Sequence, residues 1–402
     1  MHDIVQEIYE KADGPVTNQQ LYSALAERGY SDNNYQEVGQ SGKRHNLFYR
    51  RVRWVQQSLK KRSLVMRTGK NTWELSHNHR IKLRSIGDEQ SVIAMSTSLG
   101  IAIWGKSEII GRDVIDEPVH LILSSPPYPL KVARAYGNPA INDYIDFISM
   151  VIEPWISKLA TGGSIALNVS NDIFESGSPA RSTYLEELTL ALIKRFDLHL
   201  MDRMPWVSNK APGPIQWASL KRYQLNVGYE HILWFTNDPF NCFSNNQRVL
   251  QEHSDQHKKL MSKGGMQYHS TAADGNYVKK IGAYGSTTQG RIPTNVLQFS
   301  NYCSSGRNVT NFANKNGIPA HAAKFPVSLC NFLIEFLTKP NQVVADIFGG
   351  TLTVGESAQI LNRRWVCVEM MWEYIRQSFP RFERFGHDVY WNPSFLKAVN
   401  NS

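Results

Sequence analysis

Apolar positions recur along this chain with two different periods. Up to about Leu75 they fall three and four apart: Ile4, Val5, Ile8 and Tyr9, then Leu21, Leu25 and Ala26, then Phe48, Val52, Val55 and Leu59. Each set lies on one face of a helix. Asp13-Gly14-Pro15 stops the first helix, Thr17 can cap the second, and Gly29 ends it. LVMRTGKNTWELS then reads as two short strands around the turn Thr68-Gly69-Lys70-Asn71. Residues 1–76 are therefore expected to form three helices and a hairpin. Beyond residue 99 the period shortens. VHLILSS, GGSIALNVS, YEHILWFT, VVADIFGG and RRWVCVE are short, rich in β-branched residues and separated by helical patterns. They predict a buried, mainly parallel sheet of the α/β class. Residues 77–98 read as a linker. Between Thr236 and about Ala320 the pattern gives way to Asn, Gly, Ser, Gln and His, which suggests an insertion carrying a binding surface.

Charge sharpens the reading of the first module. Through Arg84 there are fifteen Lys and Arg against eight Asp and Glu, so seven of the nine net positive charges sit there. In the third helix Lys43, Arg44, Arg50, Arg51, Arg53, Lys60, Lys61 and Arg62 lie mostly off the apolar stripe, with no acid among them to form i,i+4 pairs. Three helices and a β-wing resemble a winged helix-turn-helix, a fold common in nucleic-acid binding. Contact with a polyanion is favoured over a solvated packing face.

Other classes are set aside by what the chain contains. Cys242, Cys303, Cys330 and Cys367 are far apart and show no metal-ligand spacing, so neither a zinc site nor a disulfide framework is expected. No run approaches eighteen apolar residues, and MHDIVQEIYEK is acidic and amphipathic where a signal peptide is basic and then apolar. A cytoplasmic setting without membrane or metal partners is expected.

Two stretches carry candidate chemistry. SSPPYPL, Ser124 to Leu130, follows an apolar strand, and its consecutive prolines force a stiff, extended exit whose carbonyls must find partners outside the sheet. Near the C-terminus an apolar strand ends in Asp346, turns through Phe348-Gly349-Gly350-Thr351 and enters a helix. Glycines there let backbone approach a ligand, and the helix start offers unpaired N–H groups. The next strand ends in Glu369, about twenty residues on, where doubly wound folds place a carboxylate for ribose hydroxyls.

Together, SSPPY, DIFGGT, HAAKFP (His321 to Pro326) and WVCVE resemble the DNA amino-methyltransferases that use S-adenosylmethionine. The catalytic Pro-Pro-Tyr precedes the Gly turn, with the polar insertion between, which is similar to the β-type circular permutation and to the N4-cytosine-specific, PvuII-type members. YGN at Tyr136 to Asn138, SPARSTY, WVSNKAPGPIQW and RIPTNVLQFSN agree, over roughly Ile101 to Phe385. The resemblance implies a Rossmann-like methyltransferase fold with a catalytic half at 99–236, a target-recognition insertion at 237–310 and a cofactor half at 311–402, and it leaves the winged-helix-like domain at 1–76 outside it. It implies double-stranded DNA as partner and a restriction-modification setting with a cognate endonuclease. Ser125, Pro126, Pro127 and Tyr128 are then the catalytic residues. Asp346, Phe348, Gly349, Gly350, Thr351, Glu369, Phe325 and Pro326 surround S-adenosylmethionine. Arg50, Arg51, Arg53, Lys60, Lys61, Lys210, Arg248 and Arg291 are candidate DNA contacts, with Lys221, Arg222, Lys279 and Lys280 beside them.

Two positions depart from the family pattern. Leu352 stands where members carry Gly or Asn, and Trp104-Gly105-Lys106 stands where a Gly-Asp is common. Ser125 before the prolines favours cytosine N4 over adenine N6. A C5-cytosine enzyme needs a nucleophilic cysteine after proline, and none of the four cysteines follows one. A DNA-binding regulator that keeps the fold without turnover is the alternative of another class.

Overall fold

The computed structural model describes residues 1–12, 14–31, 35–37, 44–61, 65–75, 85–87, 90–130, 139–209, 213–271 and 278–393. They form two compact units: Met1–Arg84 with Asn308–Ala322, and Ser85–Arg307 with Ala323–Ser402.

The first unit runs α1 (His2–Lys11), β1 (Val16–Thr17), α2 (Asn18–Glu27), β2 (Tyr35–Glu37), β3 (Arg44–Asn46), α3 (Leu47–Lys61), β4 (Val65–Gly69) and β5 (Thr72–Leu75). Thr17 and Gln20 make a reciprocal capping box at the start of α2, and Gly29 turns the chain after it at φ +82°. Phe48, Val52, Val55 and Leu59 are buried against Val5, Tyr9, Leu21 and Leu25. Val52 and Leu59 are fully enclosed, which stabilises the unit by about 1.5–3 kcal/mol for each. Ala26, expected on the same face as Leu25, is exposed. β4 and β5 pair around the expected turn, with Asn71 at φ +59°, and β1 completes a three-stranded sheet in the order β1-β5-β4. The β2–β3 pair carries no apolar alternation and was not foreseen.

The second unit contains β6 (Val92–Ser96), β7 (Gly100–Trp104), α4 (Ser107–Asp113), β8 (Val119–Ser124), α5 (Tyr144–Ile156), β9 (Leu159–Val169), α6 (Tyr184–Phe196), β10 (His199–Val207) and β11 (Tyr229–Thr236). After them come α7 (Asp255–Ser262), β12 (Ser270–Thr271), β13 (Val278–Lys279), β14 (Leu297–Gln298) and α8 (Ser304–Lys315), whose last residues count with the first unit. The chain closes with α9 (Val327–Leu337), β15 (Val343–Asp346), α10 (Thr353–Ile360), β16 (Arg364–Glu369), α11 (Trp372–Gln377), α12 (Phe379–Phe382) and β17 (Tyr390–Trp391).

Ten of these strands form one sheet in the order β14-β10-β11-β9-β8-β15-β16-β7-β6-β17. Its centre, β9-β8-β15-β16-β7, is parallel, as the short apolar runs predicted. YEHILWFT is a correction: it forms β11 and runs antiparallel to β9. Within the expected linker, Val92–Ser96 is a strand paired with β7, and Ser85 and Ile86 bond to Met371 and Met370. Side chains alternate between two cores. Leu121, Leu123, Val344 and Cys367 face α9 and α10, while Ile122, Val343, Ala345, Val366 and Val368 face α4, α5 and α6. Among the described residues no helix is long and apolar enough to cross a membrane.

Candidate active site

Chain order reverses between β8 and β15. From β8 the chain proceeds outward to β9, and from β15 it proceeds the other way to β16. Such a switch leaves a crevice outside the carboxyl ends of the two strands, where open α/β sheets bind ligands. Ser-Pro-Pro-Tyr leaves the end of β8 and the Gly turn leaves the end of β15, so two motifs over two hundred residues apart in the chain become neighbours. They are bonded directly. Ser124 Oγ donates to Asp346 Oδ1 at 2.6 Å and accepts from the Phe348 amide at 3.0 Å.

On the β8 side the prolines release the chain from the sheet, and Pro126 is buried. The side chains on either side of the pair converge on Asn168, near the end of β9. Tyr128 Oη donates to Asn168 Oδ1 at 2.8 Å, and Ser125 Oγ reaches the same atom at 3.3 Å. Asn168 Nδ2 in turn donates to the His231 carbonyl at 3.3 Å. Glu230, at the start of β11, places Oε2 3.1 Å from Tyr128 Oη, and the two hydroxyls are 3.4 Å apart. Burial, and after it the charge of Glu230, pushes the Tyr128 phenol well above 10, so it is neutral.

On the β15 side both glycines of the turn have a backbone reason. A Cβ at Gly349 would sit 3.0 Å from the Val368 carbonyl, and Gly350 adopts φ +49°. Glu369 spans the turn: its Oε2 accepts from Gly350 N and its Oε1 from Met371 N, both at 2.7 Å. Burial raises the Asp346 carboxyl to about 7, against the opposing bonds from Ser124 and the Phe348 amide. Glu369 is raised to about 8 by the same cause, against its two amide donors. Leu352, at the start of α10, is fully buried with φ +58° and ψ +36°. A left-handed conformation costs a non-Gly residue on the order of 1–2 kcal/mol, and Leu352 is held there by packing into the core beneath α9.

A cationic corner adjoins the turn. Arg381 is buried and bonds Thr351 Oγ1 at 3.1 Å, Glu356 Oε2 at 2.7 Å and Ser305 Oγ at 2.8 Å, while its Nε has no hydrogen-bond partner among the described residues. Arg384 takes the other Glu356 oxygen at 2.7 Å. Lys324 of HAAKFP is half-buried here, and burial, then the charge of Arg381, lowers its ammonium to about 8. Two buried carboxyls, Asp346 and Glu369, and a group with more cations than acids, Arg381, Arg384 and Lys324 against Glu356, thus flank the Gly turn.

Comparison with known proteins decides the kind of site. A family model described as DNA methylase, covering N6 and N4 enzymes, matches residues 119–380, nearly two-thirds of the chain. The chain belongs to the N6/N4 DNA methylase family. Among curated members it is 32% identical over 291 residues to the type II methyltransferase M.PvuII of Proteus hauseri, covering 72% of this chain and 85% of that one. M.BglII of Bacillus subtilis is 25% identical over 264 residues, covering 65% and 63%. A solved structure, the cytosine-N4-specific PvuII DNA methyltransferase, superposes with a TM-score of 0.57 at 26% identity over 76% of this chain and 95% of that chain.

Within this methylase, Ser125, Pro126, Pro127 and Tyr128 follow the end of β8, Asp346, Phe348, Gly349, Gly350 and Thr351 lie at and after the end of the neighbouring β15, and Glu369 ends β16, with Ser124 bonded to Asp346 and the Phe348 amide. Phe325 and Pro326 directly follow Lys324: Phe325 packs near Trp206, and Pro326 opens α9. Arg248 is a correction. Its guanidinium donates to the carbonyls of Glu335, Phe243 and Phe336 at 2.6–2.7 Å, so it caps the end of α9 and is spent there. Arg291 is exposed and bonds the Glu252 carbonyl. Arg50, Arg51, Arg53 and Lys60 are exposed on α3. Lys210, the side chain of Lys61, and Tyr136 to Asn138 fall outside the described residues. Four network residues escaped the sequence reading: Asn168, Glu230, Glu356 and Arg381. The first two were visible as polar positions inside the apolar runs GGSIALNVS and YEHILWFT.

Proposed function

We propose that this methylase transfers a methyl group from S-adenosylmethionine to the exocyclic N4 amine of a cytosine rotated out of duplex DNA, in a type II restriction-modification setting. The observation that carries the reading is the Ser124–Asp346–Phe348 bonding, which fixes Ser-Pro-Pro-Tyr beside the Gly turn. The charges of the crevice fit the cofactor: Asp346 and Glu369 suit a cationic ligand, and Arg381 with its open Nε, together with Lys324, suits a carboxylate. Asp346, Phe348, Gly349, Gly350, Thr351 and Glu369 would hold S-adenosylmethionine, Glu369 through the second lone pairs of its oxygens, and Phe325 and Pro326 would close the far side. When bound, the cofactor supplies an activated methyl group.

The chain supplies geometry. An exocyclic amine is a poor nucleophile until its lone pair is released from the ring, and acceptors aimed at its N–H groups favour that change as charge develops. The Ser125 hydroxyl faces two acceptors, Asn168 Oδ1 at 3.3 Å and Tyr128 Oη at 3.4 Å, so its proton can turn to either and its lone pairs are left for the amine. The Pro126 carbonyl, held by Pro127, is the second acceptor, and Tyr128 offers its ring face to the extruded base. Alignment of the amine with the methyl group supplies the larger part of the rate.

In the first unit Arg50, Arg51, Arg53 and Lys60 form an exposed basic face suited to phosphates, which fits a winged-helix reading. In the second, Lys221, Arg222, Lys280 and Arg291 are exposed within or beside the polar segment 237–310 and fit target recognition. The test is mass analysis of nucleosides from unmethylated genomic DNA treated with the full chain and S-adenosylmethionine. N4-methylcytosine is expected. N6-methyladenine alone would move the substrate to adenine. DNA binding without S-adenosylmethionine binding would make the protein a regulator.

A further inference from the structure

The transfer leaves a proton to be disposed of. Once the N4–CH3 bond forms and the S–CH3 bond breaks with its electron pair left on sulfur, the nitrogen carries a positive charge and must shed one hydrogen. Neither Ser125 nor the neutral Tyr128 phenol can keep it.

Glu230 accepts from the Tyr128 hydroxyl at 3.1 Å. It is a half-buried acid at the start of a strand whose following residues, Ile232 to Phe235, are buried and apolar. Ser125 Oγ, Tyr128 Oη and Glu230 Oε2 form a row with spacings of 3.4 and 3.1 Å. Asn168 holds both hydroxyls from the side.

Resting on the methyltransferase reading above, we propose that Glu230 is the terminal acceptor of the amine proton, acting through Ser125 and Tyr128. The amine proton passes to Ser125 Oγ as the Ser125 proton passes to Tyr128 Oη and the Tyr128 proton to Glu230. The sulfonium and the carboxylate both end neutral, so charge and atoms balance, and the half-exposed Glu230 then returns the proton to water. Asn168 is a positioning residue that keeps the row aligned.

The experiment uses the full chain in excess over unmethylated genomic DNA, with saturating labelled S-adenosylmethionine, and follows formation of methylated nucleoside. Glu230→Gln keeps the size of the side chain and an acceptor for Tyr128 but cannot take a proton. Its single-turnover rate is expected to fall by roughly 10²–10⁴-fold, the range of general acid–base catalysis. Its affinities for S-adenosylmethionine and DNA and its melting temperature should match those of the parent chain. Glu230→Asp should recover part of the rate, and added formate should restore part of the rate of Glu230→Ala. Glu230→Gln within about threefold of the parent rate would overturn the proposal, as would a slow Glu230→Gln whose Ala counterpart formate cannot rescue. No methylated nucleoside from the parent chain would instead overturn the methyltransferase reading itself.

Discussion

The two walls of the crevice are built in different ways. The β15 wall is made of backbone: a Gly turn is pinned by Glu369 through the Gly350 and Met371 amides, and each special residue answers a local constraint. The β8 wall is made of side chains contributed by three strands, with Ser125 and Tyr128 after β8, Asn168 on β9 and Glu230 on β11. A backbone wall suits a ligand held in one pose. A side-chain wall suits changing hydrogen bonds and moving protons. Changes to the β8 wall should therefore alter turnover, and changes to the β15 wall should alter cofactor affinity.

The largest effect is expected from Tyr128→Ala, which removes both the stacking face and the relay. Its rate at saturation should fall at least about 10²-fold, with the dissociation constant for S-adenosylmethionine nearly unchanged in calorimetry. Tyr128→Phe sharpens the point, since it keeps the face and should lose only the share carried by the hydroxyl.

Leu352→Gly tests the other wall. The substitution relieves about 1–2 kcal/mol of backbone strain but removes a fully buried Leu, which costs about 2–5 kcal/mol for Leu→Ala in cores. A net loss of stability is expected on denaturant unfolding, and a gain would mean that the packing of Leu352 contributes little.

The buried carboxyls give a pH signature with a definite sign. Asp346 and Glu369 rise from ordinary values of 3.8 and 4.5 to about 7 and 8. The folded chain therefore holds protons that the unfolded chain has released. Their contribution favours folding least at high pH: stability is lost as pH climbs from about 4 through about 8 and does not change below the unfolded values. A cationic ligand draws both groups toward ionisation, so binding of S-adenosylmethionine should release protons near pH 7 and tighten as pH approaches 8. Calorimetry in buffers of different ionisation heat reads this directly; proton uptake would contradict it.

The smallest effect belongs to the first unit. Arg50→Ala with Arg51→Ala should weaken DNA binding and lower the salt slope by about 2, close to one per phosphate contact, while leaving the transfer step unchanged. An unaltered slope would remove that helix from the DNA interface.

The same contrast explains what the sequence could disclose. The β15 wall is contiguous in the chain, so DIFGGT and WVCVE announced it, and the stripe of α3 was legible because Phe48, Val52, Val55 and Leu59 repeat with one helical period. The β8 wall was half legible, since Ser-Pro-Pro-Tyr is local, whereas Asn168 and Glu230 join it only when β9 and β11 line up beside it. Strand direction was not legible for YEHILWFT, because a period of two is the same for either sense. Arg248 was misread for a related reason: a cation in a polar segment looks solvated until a helix end is known to lie beside it.

Adjacent serines offer the most direct test that one crevice has these two walls. Ser124 is bonded to Asp346 and the Phe348 amide, and Ser125 to the Asn168 network. The measurement is the pair of values, dissociation constant for S-adenosylmethionine and single-turnover rate at saturation, for Ser124→Ala and Ser125→Ala. Ser124→Ala is expected mainly to weaken cofactor binding and Ser125→Ala mainly to slow transfer. If both substitutions move the same quantity by the same factor, the account is contradicted.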